Sequence, residues 1–334
     1  MHNIKEVAAL AKTSTATVSR VINETGYVSS EVKQRVLKAV KELDYRPLKR
    51  DGKTNTKRTI ALVVPDIENP FFAKLTKEIS QISNTLMYNI LLINVSGLKN
   101  DGGDFLLDLI SSRVDGVIYT SSYRFLDVIS RVKGNNIPIV VLDREIQDME
   151  IDTIVVNNDH AAFLATEHLI QLGHKHIAFI GGTKNMEISI NRHKGYKRAL
   201  EKYKMAYDET IVKHGDFTMQ SGYNATKGLM QSNGHMTGIV AANDLMAIGA
   251  FNYLNAVGYK IPTDMSIVGF DDIDLASSIT PKLTTVSYPI KRMSQLAIES
   301  IIKHISGTNS ACESVSLRSK LIIRDSTGAI DVKD

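Results

Sequence analysis

The apolar positions at the start of the chain recur at helical spacing. Ile4, Val7, Ala8 and Ala11 would bury one face of a first helix, and Ser14 is placed to cap a second whose Val18, Val21 and Ile22 turn inward. A third helix is predicted from Ser29-Ser30-Glu31, with Ser29 as N-cap and Val32, Val36, Leu37, Val40 and Leu43 as its apolar face, ending at Tyr45-Arg46-Pro47. A polar, basic stretch over 48–58 follows, and beyond it the pattern changes. Thr59-Ile60-Ala61-Leu62-Val63-Val64-Pro65 is a short continuous apolar run, as in a strand covered on both faces. A helix over 72–86, a strand over 90–93, a helix over 105–111, a strand over 116–119, a helix over 125–132 and a strand over 137–142 continue the alternation.

A second series begins near Asn157, with a helix over 160–172, a strand over 177–181, helices over 192–202 and 223–231, a strand over 238–241, a helix over 244–257 and a strand over 266–270. Strands alternating with helices at this spacing build right-handed βαβ units and a parallel sheet covered on both faces. Two such series predict an α/β body of two similar, doubly wound lobes with a cleft between them. Ligands of open α/β sheets bind beyond the carboxyl ends of the strands. The chain's unusual residues fall there: Asn69-Pro70-Phe71-Phe72, Asp143-Arg144, Arg192, Phe217, Asn243-Asp244 and Asp271-Asp272. Each has a plainer reading: Pro70 as a helix start, Asp143-Arg144 as a surface pair, Asp271-Asp272 as a polar turn. Together they assemble phenyl faces, two Arg donors and Asp and Asn acceptors, the chemistry that a polyhydroxylated ring requires.

The second predicted helix leaves Thr15, Ala16, Thr17, Ser19 and Arg20 pointing outward. Small side chains let a helix sink close to base edges, and one Arg can then reach the O6 and N7 of a guanine with two bonds. The plainer reading is a three-helix cap with an ordinary polar surface. Charge favours the first: residues 1–58 hold 13 Lys and Arg against 6 Asp and Glu, a net of +7, whereas the remainder carries −3. The 334 residues exceed one ordinary core and predict a small domain with one or two larger ones. The chain has no apolar run of about 18 residues and no apolar leader, so a cytoplasmic protein without a membrane span is expected. The one cysteine, Cys312, cannot form an internal disulfide, which fits a reducing compartment, and is read as an incidental small residue.

The amino-terminal segment carries V-A-x-x-A at Val7-Ala8-Ala9-Leu10-Ala11 and S-x-x-T-V-S-R-V-x-N from Ser14 to Asn23, then Val28-Ser29 and L-x-Y-x-P at Leu43-Asp44-Tyr45-Arg46-Pro47. It resembles the headpiece of the LacI/GalR family of bacterial transcription regulators. Further hallmarks spread the resemblance over nearly the whole chain: Leu172-Gly173-His174-Lys175-His176-Ile177-Ala178, Asn243-Asp244 with Ala247 and Gly249, and Gly269-Phe270-Asp271-Asp272 with Pro281-Lys282-Leu283-Thr284-Thr285-Val286. The resemblance implies a small all-α helix-turn-helix headpiece over 1–47, a basic linker over 48–58 and a two-lobed, periplasmic-binding-protein-like body over 59–334. The amino-terminal lobe would comprise about 59–157 with 288–316, and the carboxyl-terminal lobe about 158–287 with 317–330. Ser14, Thr15, Ala16, Thr17, Ser19, Arg20, Asn23, Tyr45, Lys49 and Arg50 would contact double-stranded DNA at a pseudo-palindromic operator, read by a homodimer or a dimer of dimers.

The cleft is similar to that of ribose-binding proteins, with Asn69, Phe71, Phe72, Asp143, Arg144, Arg192, Phe217, Asn243 and Asp271 at matching places. It departs from them at Tyr288, where those proteins carry Gln. The linker departs as well: it is about two residues shorter than in relatives and lacks their N-x-x-A-R-x-L hinge helix, and its Gly52, Thr and Asn residues form helix poorly. The expected protein is a sugar-responsive repressor of a sugar-utilisation operon, ribose-like pentoses favoured. Purine or sugar-phosphate effectors are the alternatives within the family. A sugar-processing enzyme with a helical cap is the alternative outside it. No phosphate loop, dinucleotide fingerprint, nucleophile elbow or H-E-x-x-H helix occurs, so neither catalysis nor a cofactor is expected. Glu167-His168 and His174-Lys175-His176 come nearest to a metal cluster; the former falls within a predicted helix and the latter at its exit, where cationic or polar residues commonly close the last turn, so no metal is expected.

Overall fold

The computed structural model describes residues 4–23, 26–43, 58–96, 102–120, 126–144, 150–232, 235–308 and 312–330. The chain forms two compact units that part at Arg58. In the first, α1 (Ile4–Leu10), α2 (Thr15–Asn23) and α3 (Ser30–Glu42) enclose a core of Val7, Ala8, Ala11, Val18, Val21, Val36 and Ala39. Lys12 takes a left-handed φ of 51° in the turn between α1 and α2. Ser14 caps α2 as predicted, its Oγ accepting from Thr17 N at 3.1 Å. Two expectations for α3 are corrected. Ser29 occupies the N-cap position but makes no side-chain cap bond, and Leu37 is half exposed while Ala39 fills its place in the core.

The second unit is built from two six-stranded sheets. Its chain order is β1 (Arg58–Val64), α4 (Pro70–Thr85), β2 (Tyr88–Asn94), α5 (Gly102–Arg113), β3 (Gly116–Thr120), α6 (Leu126–Gly134), β4 (Ile139–Leu142), β5 (Asp152–Val156), α7 (Asn158–Gln171), β6 (Ile177–Gly181), α8 (Glu187–Lys202), β7 (Val212–His214), α9 (Met219–Ser232), β8 (Gly238–Ala241), α10 (Asp244–Ala256), β9 (Ser266–Asp271), α11 (Asp274–Ser278), β10 (Thr284–Ser287), α12 (Ile290–Ile305), β11 (Ser314–Leu317) and β12 (Lys320–Ile322). The first sheet has the order β11-β5-β4-β3-β1-β2 and the second β12-β10-β9-β8-β6-β7. All their pairings are parallel except that of β12, which runs antiparallel to β10.

The central strands β1, β3, β4, β6, β8 and β9 are buried along nearly their whole length, which is why they read as continuous apolar runs. The sequence reading passed over β5, β7, β10, β11, β12 and α12. The edge strands β7, β11 and β12 are short and half polar, so they lack a strand signal. Helix α12 does carry a helical signal: Ile290, Met293, Ala297, Ile298 and Ile301 share its buried face.

Among the described residues the chain passes between the sheets three times: between β5 and α7, between β10 and α12, and between β11 and β12. Helix α12 returns to the first sheet, packing on α4, β3, β4 and β5. Helices α9 and α10 approach closely, because a Cβ on Gly249 would stand 2.0 Å from Met219 O.

Candidate functional site

Between the two sheets, beyond the carboxyl ends of their strands, lies a cleft of about 450 Å³. Asn69, Phe71, Phe72, Asp143, Arg192, Phe217, Asn243 and Asp271 all line it. Helix α4 supplies Phe71 and Phe72, which stand edge to face with centroids 5.1 Å apart. Asn69 caps that helix, its Oδ1 accepting from Phe71 N at 3.0 Å. Asn243 caps α10 in the same way, accepting from Met246 N, while its Nδ2 donates to Phe217 O at 2.9 Å. Both asparagines thus give part of their hydrogen-bonding capacity to the scaffold.

Asp143, Phe217 and Asp271 have φ values of 59°, 69° and 101°, in a region that non-glycine residues seldom occupy. Three such residues lining one cleft are strain held by the surrounding fold, the pattern found at binding sites. The ring of Phe217 lies against the backbone at Gly182, where a Cβ would come within 2.1 Å of it.

Arg192 forms the floor and is 1% exposed. Its Nε donates to Asn158 Oδ1 at 2.9 Å, its Nη1 to Ala242 O, and its Nη2 to the Tyr288 hydroxyl at 2.5 Å, with Asp271 Oδ1 at 3.7 Å. The guanidinium sits 4.5 Å from the Phe270 ring centroid and 5.5 Å from that of Tyr288. Three of its five N–H groups are therefore committed within the protein. Tyr288 in turn donates to Asn158 Oδ1, and its ring meets Phe71 edge to face at 5.3 Å. Tyr288, expected to bind the effector, is not among the residues that line the cleft; buried beneath it, the phenol joins α4 of the first sheet to α7 and α8 of the second.

Burial pushes the Asp143 carboxyl up to about 7, with Arg192 opposing and Asp271 adding to the rise. Burial likewise raises Asp271 to about 6 against the pull of Arg192. Arg192 itself is raised: burial disfavours its charge, but Tyr288, Asp271 and Asp143 more than offset that.

Arg144 departs from the expected arrangement. It lines a separate recess with Asn157, Asn158, Glu187, Asn191 and Ser316, and among the described residues Asp143 and Ile188 border both spaces. Asp244 and Asp272 hold the scaffold: Asp244 accepts from Thr285 Oγ1 and Ile273 N, and Asp272 from Arg324. Sequence reasoning missed Asp66, Glu68, Met186 and Asp216, which also line the cleft. They stand in loops and at a helix start, where no periodicity marks them. Asn158, which bonds Arg192 and Tyr288, looked like one more residue of a helix start.

In the amino-terminal unit, Thr15, Ala16 and Arg20 are exposed on α2, and Ser19 is half-buried. Thr17 is also half-buried and turns its hydroxyl to Ser14 Oγ at 3.0 Å. The side chain of Asn23, and Tyr45, Lys49 and Arg50 with the rest of the linker, lie outside the described residues. The two histidine motifs serve the fold: His168 bonds Thr327, and His174 bonds Thr237 and Gly328 O. Among the described residues no helix is long and apolar enough to cross a membrane.

The pattern of the bacterial regulatory proteins of the lacI family matches residues 3–47, and that of the periplasmic binding protein-like domain matches residues 166–327. A ribose operon repressor of Halalkalibacterium halodurans is 36% identical over 329 residues, spanning 98% of this chain and 97% of the relative. The HTH-type transcriptional repressor PurR of Vibrio atlanticus is 34% identical over 308 residues, 91% of this chain and 92% of the relative. A crystal structure of a LacI family transcriptional regulator from Enterococcus faecium, with bound ribose, is 32% identical and superposes with a TM-score of 0.76, covering 82% of this chain and all of the other. The chain therefore belongs to the LacI family of bacterial transcription repressors, a helix-turn-helix headpiece followed by a periplasmic-binding-protein-like body, and not to a family of enzymes.

Proposed function

We propose that this protein is a cytoplasmic repressor of a sugar-utilisation operon whose affinity for a pseudo-palindromic operator is set by a neutral, ribose-like pentose in the interlobe cleft. The observation that carries this reading is the balance of charge around the cleft. Asp66, Glu68, Asp143, Asp216 and Asp271 line it, and Arg192 is the sole Lys or Arg among its described lining residues. Hydroxyls donate to carboxylates, whereas a sugar phosphate would meet them as a second anion. Arg144, the other candidate for clamping an anion, lines a different recess. A purine needs a flat aromatic slot, but Phe71 meets both Phe72 and Tyr288 edge to face. The bound ribose in the Enterococcus faecium relative supports the same choice.

Thr15, Ala16, Thr17, Ser19 and Arg20 would read base edges, Ser14 and Asn23 would fix the helix on the groove, and Tyr45, Lys49 and Arg50 would contact the backbone. A homodimer fits the exposure of Leu86, Met87 and Leu92, on and just before the edge strand β2. Isothermal titration of the full-length protein with ribose, a ribose phosphate and a purine base tests the effector. Heat with ribose alone is expected, and heat with a purine or the phosphate but not with ribose would overturn the assignment.

A further inference from the structure

A polar cluster stands at the opposite end of the first sheet from the cleft. Asp152 opens β5, whose five residues lead toward the first crossing between the sheets. Ser300 and His304 lie one turn apart near the end of α12, and Cys312 precedes β11. The side chain of Asp152 is 5% exposed and that of His304 17% exposed, while Cys312 is exposed. Asp152 Oδ1 accepts from Glu313 N at 2.9 Å, and Oδ2 accepts from the Ser300 hydroxyl and lies 3.1 Å from His304 Nε2. One ligand atom each from Asp152, His304 and Cys312 fall within 4.8 Å of one another.

We propose that Asp152, His304 and Cys312 form a binding site for a zinc-class divalent cation. A tetrahedral ion with bonds of about 2.0–2.3 Å to O, N and S needs its ligand atoms about 3–4 Å apart, so small side-chain adjustments would complete the site. The mixed donor set selects the metal: a thiolate and an imidazole suit zinc or cobalt and are foreign to magnesium and calcium. Ser300 and Glu313 N already hold the carboxylate, as outer-shell partners do in metal sites. On binding, the Cys312 thiol would release its proton to solvent, and the exposed side of the cluster would leave the fourth position to water. The ion would tie β5, α12 and the lead into β11 together, just before the chain's last crossing between the sheets.

The competing reading is a hydrogen-bonded clasp with no ion. Titration of the full-length protein with cobalt(II) chloride separates the two. The site predicts a near-ultraviolet thiolate-to-cobalt band that saturates at one ion per chain, is displaced by zinc chloride and is absent from Cys312→Ser. Zinc should raise the melting midpoint of the wild type but not of Cys312→Ser, and His304→Ala or Ser300→Ala should weaken zinc binding by about ten-fold or more. Circular dichroism and effector titration of each variant establish that it is folded. Absence of the cobalt band, or a zinc-induced melting shift equal in wild type and Cys312→Ser, would overturn the proposal.

Discussion

At the scale of single residues, the headpiece and the cleft place their energy differently. Arg20 is the only Lys or Arg of α2 and is exposed, so its guanidinium can contribute to base reading without disturbing the core. Arg20→Ala is expected to weaken operator binding by about 1–3 kcal/mol while sparing most binding to random DNA, as fluorescence anisotropy on both duplexes would reveal. Equal loss on the two duplexes would place Arg20 on the phosphates instead. In the cleft, Arg192 supports neighbours as well as any ligand. Its truncation leaves Asp271, Asn158 and Tyr288 without their shared partner, and Asp143 without the nearby positive charge that opposes its rise. Arg192→Ala should therefore destabilise the body by about 3–5 kcal/mol, whereas Asp271→Ala should abolish the effector response and leave operator binding intact. Thermal melting read beside an operator-release assay distinguishes these two outcomes.

At the scale of elements, α4 does more than carry the two phenyl rings. From the same helix Lys74 reaches the other side of the cleft, donating to Asp272 O at 3.2 Å and standing 3.6 Å from Asp274 Oδ1. Helix α4 thus meets the β9–α11 turn directly, a contact that exists only while the lobes are this close. The side chains of Lys74 and Asp274 are 40% and 96% exposed, so the contact is worth at most about 1 kcal/mol. Lys74→Ala should accordingly weaken effector binding by no more than about five-fold, and raising the salt concentration should shrink the difference from wild type. An undiminished difference at high salt would mean that Lys74 acts through packing.

At the scale of the whole molecule, the enclosed carboxyls make the cleft sensitive to pH. Burial raises Asp143 to about 7 and Asp271 to about 6, above the ordinary 3.8, so below those values each keeps a proton that it would already have lost in water, and above them both are carboxylates. Ligand hydroxyls bond the ionised carboxylates better, and binding therefore releases protons. Affinity should rise as pH increases from about 5 through these values and level off above about 8. Titration in two buffers of different ionisation enthalpy would measure the released protons, and a flat pH profile would contradict the argument. Melting is a poorer reporter. Ionising the two carboxyls costs stability as pH rises through 6 and 7, but burial lowers His168 and His174, and His193 to about 4, which costs stability as pH falls below the ordinary 6.5. The two trends oppose each other over the same range.

The sequence by itself determined what is local or periodic. Buried parallel strands must be apolar along their length, so β6 and β8 were legible to the residue, and the headpiece helices were marked by Ser14 and by an apolar face of small residues. The chemistry gathered at the strand ends was legible too, because α/β folds bring those ends to one place. Only the tertiary structure decided which of those groups are free to meet a ligand. Asn243 and Asn69 cap helices, Arg144 lines a recess of its own, and Arg192 is largely satisfied by Asn158, Ala242 and Tyr288, residues distant from it in sequence. The left-handed backbone at Asp143, Phe217 and Asp271 has no local signature, since the surrounding fold imposes it. The juxtaposition of Asp152, His304 and Cys312 is likewise set by the packing of α12 on the first sheet, a long-range contact that no spacing along the chain encodes.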